Sequence, residues 1–227
     1  MKDNESVKSD VERLKDEYYN SNSQGELVNK IADKINNDAR NIEVLKSLLP
    51  YRTRSLYRSL SYILSELKAS ILLSENNLIE EVLLFDDSRI YYDLSTAIIL
   101  NIGCGEFNKY FYRGLIHKSE FVQNKFFNSI ATLDNNQIEC VIDVIGDKSF
   151  KKYFSLFLRV DDLEKKWFYE NLKHNDRLIR KLVFRLMESS TLFLFDEAFE
   201  LINSLNDEDI FDDFIFSSKF SFELDKL

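Results

Sequence analysis

From about Asn41 onward, apolar residues recur at i, i+3, i+4 and i+7 in blocks of 10 to 15 residues, separated by two to five polar residues. A 3.6-residue period collects such positions on one side of a helix, so the pattern predicts helices joined by short turns. Ser88, Ser119, Asp134 and Asp176 stand just before apolar-periodic segments, where a side-chain oxygen can accept from the free N–H groups of a first turn. The doublets Asp86-Asp87 and Asp161-Asp162 fit the same capping role, and Asp212-Asp213 falls within a helix, where solvated carboxylates are expected.

The helical blocks repeat. Segments starting at Asn76, Gly105, Asp134, Asp161 and Ser190 each read as a helix, a polar turn and a second helix, with a period of 27 to 29 residues. The first turn of each second helix carries an apolar residue: Ile90, Val122, Phe150, Ile179 and Ile210. A less regular copy starts at Asn41, with Pro50 dividing its two helices. Paired helices at a fixed period signify stacked repeats, because no single pair can bury its apolar face alone. The expected fold is therefore all-α, with about six stacked antiparallel helix pairs over residues 41–218; a compact helical bundle is the alternative. Residues 1–40 are expected to form a polar N-terminal helical cap. It comprises a charged helix around Val7 to Tyr19, a flexible polar stretch from Asn20 to Gly25 and an amphipathic helix from Glu26 to Ile35, and residues 219–227 form a tail.

One block carries a motif. Its run His174-Asn175-Asp176-Arg177-Leu178-Ile179-Arg180 resembles the HEAT-like repeat family, with Asp176, Ile179 and Arg180 at matching positions. The other blocks place Tyr91, Gln123, Lys151 and Phe211 where the arginine would stand. The resemblance implies an α-solenoid in which turn aspartates and helix arginines form a ladder between neighbouring repeats.

Composition agrees with the periodicity: five Gly and one Pro in 227 residues leave little material for strands and tight turns. No apolar run reaches the roughly 18 to 20 residues of a membrane span, and the polar start has no signal-peptide character, so a cytoplasmic protein is expected. Cys104 and Cys140 are too few for a disulfide framework and read as reduced core thiols.

Charge is unevenly distributed. Lys148 to Arg185 holds 11 Lys and Arg against 5 Asp and Glu, Leu186 to Leu227 holds 2 against 11, and residues 1–147 hold 17 against 23. The acidic cluster Asp207, Glu208, Asp209, Asp212 and Asp213 is a candidate surface for a basic protein partner. Neutralisation between neighbouring blocks is the competing reading of the same pattern.

Catalytic chemistry is hard to place. Gly103-Cys104-Gly105 lacks the further glycine and the lysine of a phosphate-binding loop and reads as a helix C-cap. His117 and His174 each lie five residues before the first-turn apolar residue of a second helix, and neither has a Cys or His at ligand spacing. No metal, cofactor or catalytic residue is assigned. The aromatic residues around Trp167 fall at core spacing, while Tyr91, Tyr92, Tyr110 and Tyr112 are candidate exposed anchors.

The leading expectation is a non-enzymatic protein-binding repeat module, such as an immunity or inhibitor protein that masks a basic toxin or nuclease. One alternative, which the net charge disfavours, is a HEAT-like nucleic-acid-binding protein or DNA glycosylase using Lys148, Lys151, Lys152, Arg177, Arg180, Lys181 and Arg185 on phosphates. The other is a self-assembling scaffold joining basic and acidic ends.

Overall fold

The computed structural model describes residues 2–14, 21–217 and 219–220. Every regular element among them is helical: α1 (Lys2–Arg13), α2 (Ser21–Asn37), α3 (Glu43–Lys46), α4 (Arg54–Ser65), α5 (Ala69–Ser74), α6 (Asn76–Leu83), α7 (Ser88–Leu100), α8 (Glu106–Leu115), α9 (Glu120–Ser129), α10 (Asn135–Val144), α11 (Lys148–Phe154), α12 (Lys165–Asn171), α13 (Arg177–Ser189), α14 (Phe195–Leu205) and α15 (Glu208–Ile215), joined in places by short 3-10 turns. The chain divides into two compact units, Met1–Lys125 and Phe126–Leu227.

The five segments anticipated as helix pairs hold α6 and α7, α8 and α9, α10 and α11, α12 and α13, and α14 and α15; α6 packs on α7, α12 on α13 and α14 on α15, while α10 packs on the 3-10 segment Ser155–Asp162. The first-turn residues Ile90, Val122, Phe150, Ile179 and Ile210 are all buried, each worth about 1.5–3 kcal/mol against exposure. Pro50 lies in a 3-10 turn (Leu49–Tyr51) that ends at Arg52 in the left-handed conformation. The helix α5 bridges the end of the copy that starts at Asn41 and the block that starts at Asn76.

Capping follows the aspartates. Asp134 forms a reciprocal capping box with Gln137, and Asp176 accepts from the Leu178 N–H. At α7 the cap is Asp87 rather than Ser88, which is the first helical residue. Gly103 and Gly105 both have positive φ in the α7–α8 turn, where the Gly103 N–H donates to Asn108 Oδ1 and Gly105 caps α8. Of the polar stretch expected to be flexible, residues 21–25 are helical and open α2; Asn20 lies outside the described residues. The described part of the charged helix ends with Leu14, and residues 15–19 lie outside. Phe220, assigned to a tail, is buried against Phe214 with ring centroids 5.1 Å apart; residues 221–227 lie outside.

In the first unit α4 packs on α2, α6 and α7, and α7 on α8. In the second, α13 packs on α11, α12 and α15. Several polar contacts between elements span 29 to 32 residues. Arg58 bonds Asp87 across 29 residues, Tyr110 bonds Glu80 across 30, Lys165 bonds Glu197 across 32, and Arg177 bonds Asp209 across 32.

Candidate functional site

The two charged clusters singled out in the sequence meet each other. Arg177 Nε lies 2.5 Å from Asp209, Arg180 Nε 2.7 Å from Asp207, and Lys181 Nζ 2.9 Å from Asp213. Arg185 reaches Asp213 at 3.4 Å, Glu188 at 2.5 Å and Asn128 at 2.5 Å. Periodicity puts these cations on one side of α13, facing the carboxylates that the first two turns of α15 present. Neutralisation between blocks therefore accounts for the part of the charge pattern that lies on α13 and α15. Asp213 is buried rather than solvated, and Lys181 and Arg185 are buried as well, so none of the three presents its charge to a partner from these positions. Glu208 and Asp212 are the acidic-cluster members that are exposed; with Phe211 and Asn203 they line a shallow hollow of about 260 Å3. On α11, Lys148 and Lys152 are exposed and Lys151 is half-buried.

The histidines are turn elements. Nδ1 of His117 accepts from the Ser119 N–H at 3.0 Å, and Nδ1 of His174 accepts from the Asp176 N–H at 3.0 Å. Each His carbonyl accepts from the residue six positions on, Gln123 in one block and Arg180 in the other. Burial pushes the His117 imidazole below its ordinary pKa, with adjacent Lys118 adding to the shift. Cys104 and Cys140 are unpaired and half-buried, not core thiols. Tyr91 and Tyr110 are buried and so are not anchors: the Tyr91 hydroxyl donates to the Tyr110 carbonyl, and the Tyr110 hydroxyl donates to Glu80 at 2.6 Å. Among the described residues the exposed tyrosines are Tyr51, Tyr62 and Tyr169.

A further concavity lies in the first unit. A cleft of about 620 Å3 is walled by α2 (Gly25, Val28), α4 (Arg54, Ser55, Arg58, Ser59, Tyr62) and α7 (Arg89, Asp93). Gly25 borders open space: a Cβ there would meet no atom within 4 Å. Three guanidinium groups converge on it, each held from beneath by a carboxylate. Asp87, whose side chain is 3% exposed, binds Arg54 Nε at 3.0 Å and Arg58 Nη2 at 3.1 Å, and caps α7 through the Arg89 N–H at 2.8 Å. Asp93 binds Arg89 Nε at 2.9 Å. Burial pushes the Asp87 carboxyl up, but the Arg89 N–H and Arg58 outweigh it and leave the group below its ordinary pKa. At Asp93 burial prevails over Arg89 and raises the pKa.

The arginine side chains are 46–68% exposed, so the donors not committed to Asp87 and Asp93 face the cleft. Guanidinium groups pre-oriented by buried carboxylates are suited to bidentate recognition of an incoming anion. Sequence reasoning passed over this cluster because it summed charge over residues 1–147. A narrower window shows it: residues 44–65 carry Lys46, Arg52, Arg54 and Arg58 with no Asp or Glu.

Among the described residues no His, Cys, Asp and Glu side chains group as a metal site, and no helix is long and apolar enough to cross a membrane. No protein-family model, no curated protein and no solved structure matches the chain.

Proposed function

We propose that the chain is a non-enzymatic, HEAT-like helical-repeat module that binds a protein partner, and that its docking surface is the arginine cleft between α2, α4 and α7. The observation that carries this reading is the set of three exposed guanidinium groups seated on two shielded carboxylates in one cleft. That arrangement fixes donors toward solvent and gives them few internal acceptors. Three features support the repeat part: contacts recurring at offsets near 30 residues, the equivalent turns at His117 and His174, and the Arg180–Asp207 pair, which joins one block to the next as a ladder would. A second reading rests on the hollow beside Glu208, Phe211 and Asp212, which keeps the acidic surface for a basic partner such as a toxin, though with two carboxylates rather than five.

Chemical cross-linking in the native host distinguishes the two. The cleft reading expects partner cross-links near α4 and α7 that disappear in Arg54→Glu/Arg89→Glu and persist in Glu208→Lys/Asp212→Lys. The reverse pattern selects the acidic hollow, and unchanged cross-links in both variants reject both surfaces. Asp213 is unsuitable for such charge reversal, because a lysine there would stand against buried Lys181 and Arg185.

A further inference from the structure

We infer that the cleft and the neighbouring face of α9 together bind an extended acidic polypeptide segment that carries aromatic or apolar side chains between its carboxylates. This rests on the cleft being the docking surface. The face continues past the cleft through Tyr92. Arg89 lies over the Tyr92 ring at 5.6 Å, Lys125 lies over it at 4.2 Å, and Phe121 stacks on it with centroids 4.0 Å apart. Lys125 also donates to Thr96 Oγ1 at 3.1 Å, which ties α9 to α7. Cations and aromatics thus alternate across α4, α7 and α9. Tyr62 is 39% exposed at one end and Phe121 52% exposed at the other, a large ring left half in water where a partner's apolar side chain would cover it. With helix axes about 8–10 Å apart, the row is too long for one small anion and fits several residues of extended chain.

Charge decides between a polypeptide and a nucleic acid. Four cations, Arg54, Arg58, Arg89 and Lys125, face two carboxylates, Asp87 and Asp93, so the row is only modestly positive within a chain of net charge -9. A nucleic-acid strand brings one phosphate every few ångströms, about 3.4 Å along each duplex strand, and would crowd several of them against Asp93. Separated carboxylates meet the arginines one at a time and leave room for side chains on Tyr62 and Phe121.

Fluorescence anisotropy of the full chain tests this, with a labelled oligopeptide of alternating glutamate and tyrosine, an oligo(dT) of matching length and inorganic phosphate as separate probes. At about 50 mM salt, where ionic contacts are weakly screened, the peptide should bind most tightly. Arg54→Gln/Arg89→Gln should weaken it by about tenfold or more, and Phe121→Ser should weaken it. Unchanged circular dichroism and melting temperature establish that each variant is folded. Peptide binding that is insensitive to the arginine pair overturns the proposal. Tighter oligo(dT) or phosphate binding, lost with the arginine pair, overturns it while leaving the cleft as the docking surface; no binding of any probe rejects the cleft as well.

Discussion

Asp87 caps α7, and with the same carboxylate it draws Arg54 and Arg58 of the preceding long helix against that first turn. One residue thus closes a helix end, joins two elements and orients two donors toward a cleft. His117 has a comparable local economy, since its Nδ1 accepts from the backbone N–H of Ser119 and its ring packs 5.1 Å from that of Tyr91. An acceptor nitrogen must be unprotonated, and burial likewise holds the folded-state pKa below its ordinary 6.5. The unfolded chain therefore binds this proton more readily. The stabilising contribution is complete above the unfolded pKa and is lost as pH falls through the folded one, so stability should decline on acidification from about pH 7 toward 5. In His117→Asn, whose side-chain oxygen can accept the same N–H without titrating, urea midpoints should decline less over that interval. An unchanged slope would show that the histidine does not set it.

Between elements, the strongest constraint is the polar seam joining α13 to α15. Lys181 and Asp213 are both buried, and Arg185 sits beside them with Nε lacking an acceptor among the described residues. Such a pair adds little net stability when intact, because both charges have lost their water, yet removing one partner strands the other. Asp213→Ala should cost about 3–5 kcal/mol, read as a fall in the denaturation midpoint at constant slope, whereas Lys181→Met/Asp213→Leu should recover most of it. Asp212→Ala, one position along and exposed, should stay within about 0.5 kcal/mol. This seam also marks what could be read from the sequence. Helix positions, the buried first-turn residues and the Asp134 and Asp176 caps follow from periodicity and local chemistry, which act within a few residues. Whether Asp213 faces water or Lys181 depends on which helix face meets which, a relation across 32 residues. The arginine cleft was obscured for the same reason: Asp87 reads as a capping residue and Arg54 as a surface cation until α4 is laid against α7.

Among the described residues, many packing partners are close neighbours in the chain, α4 with α6 and α7, α7 with α8, α11 with α13, and α13 with α15, while α13 also packs on the 3-10 turn Ile130–Thr132 and Arg185 bonds Asn128 across 57 residues. Connectivity of that kind makes stability a sum of local terms if the helix pairs act as repeats, each coupled only to the next. In a single cooperative bundle, a core truncation would instead lower the protection of every amide that exchanges through global unfolding. Leu182 lies fully buried on α13, and Leu182→Ala should cost about 2–5 kcal/mol through lost contacts and the cavity left behind. Hydrogen exchange of that variant separates the two architectures. The repeat arrangement expects faster exchange in α11, α13 and α15, with amides of α4 and α7 keeping their wild-type rates. Equal acceleration in both sets would assign the chain to a bundle, and would also mean that a partner bound at the arginine cleft stabilises α13 as strongly as α4.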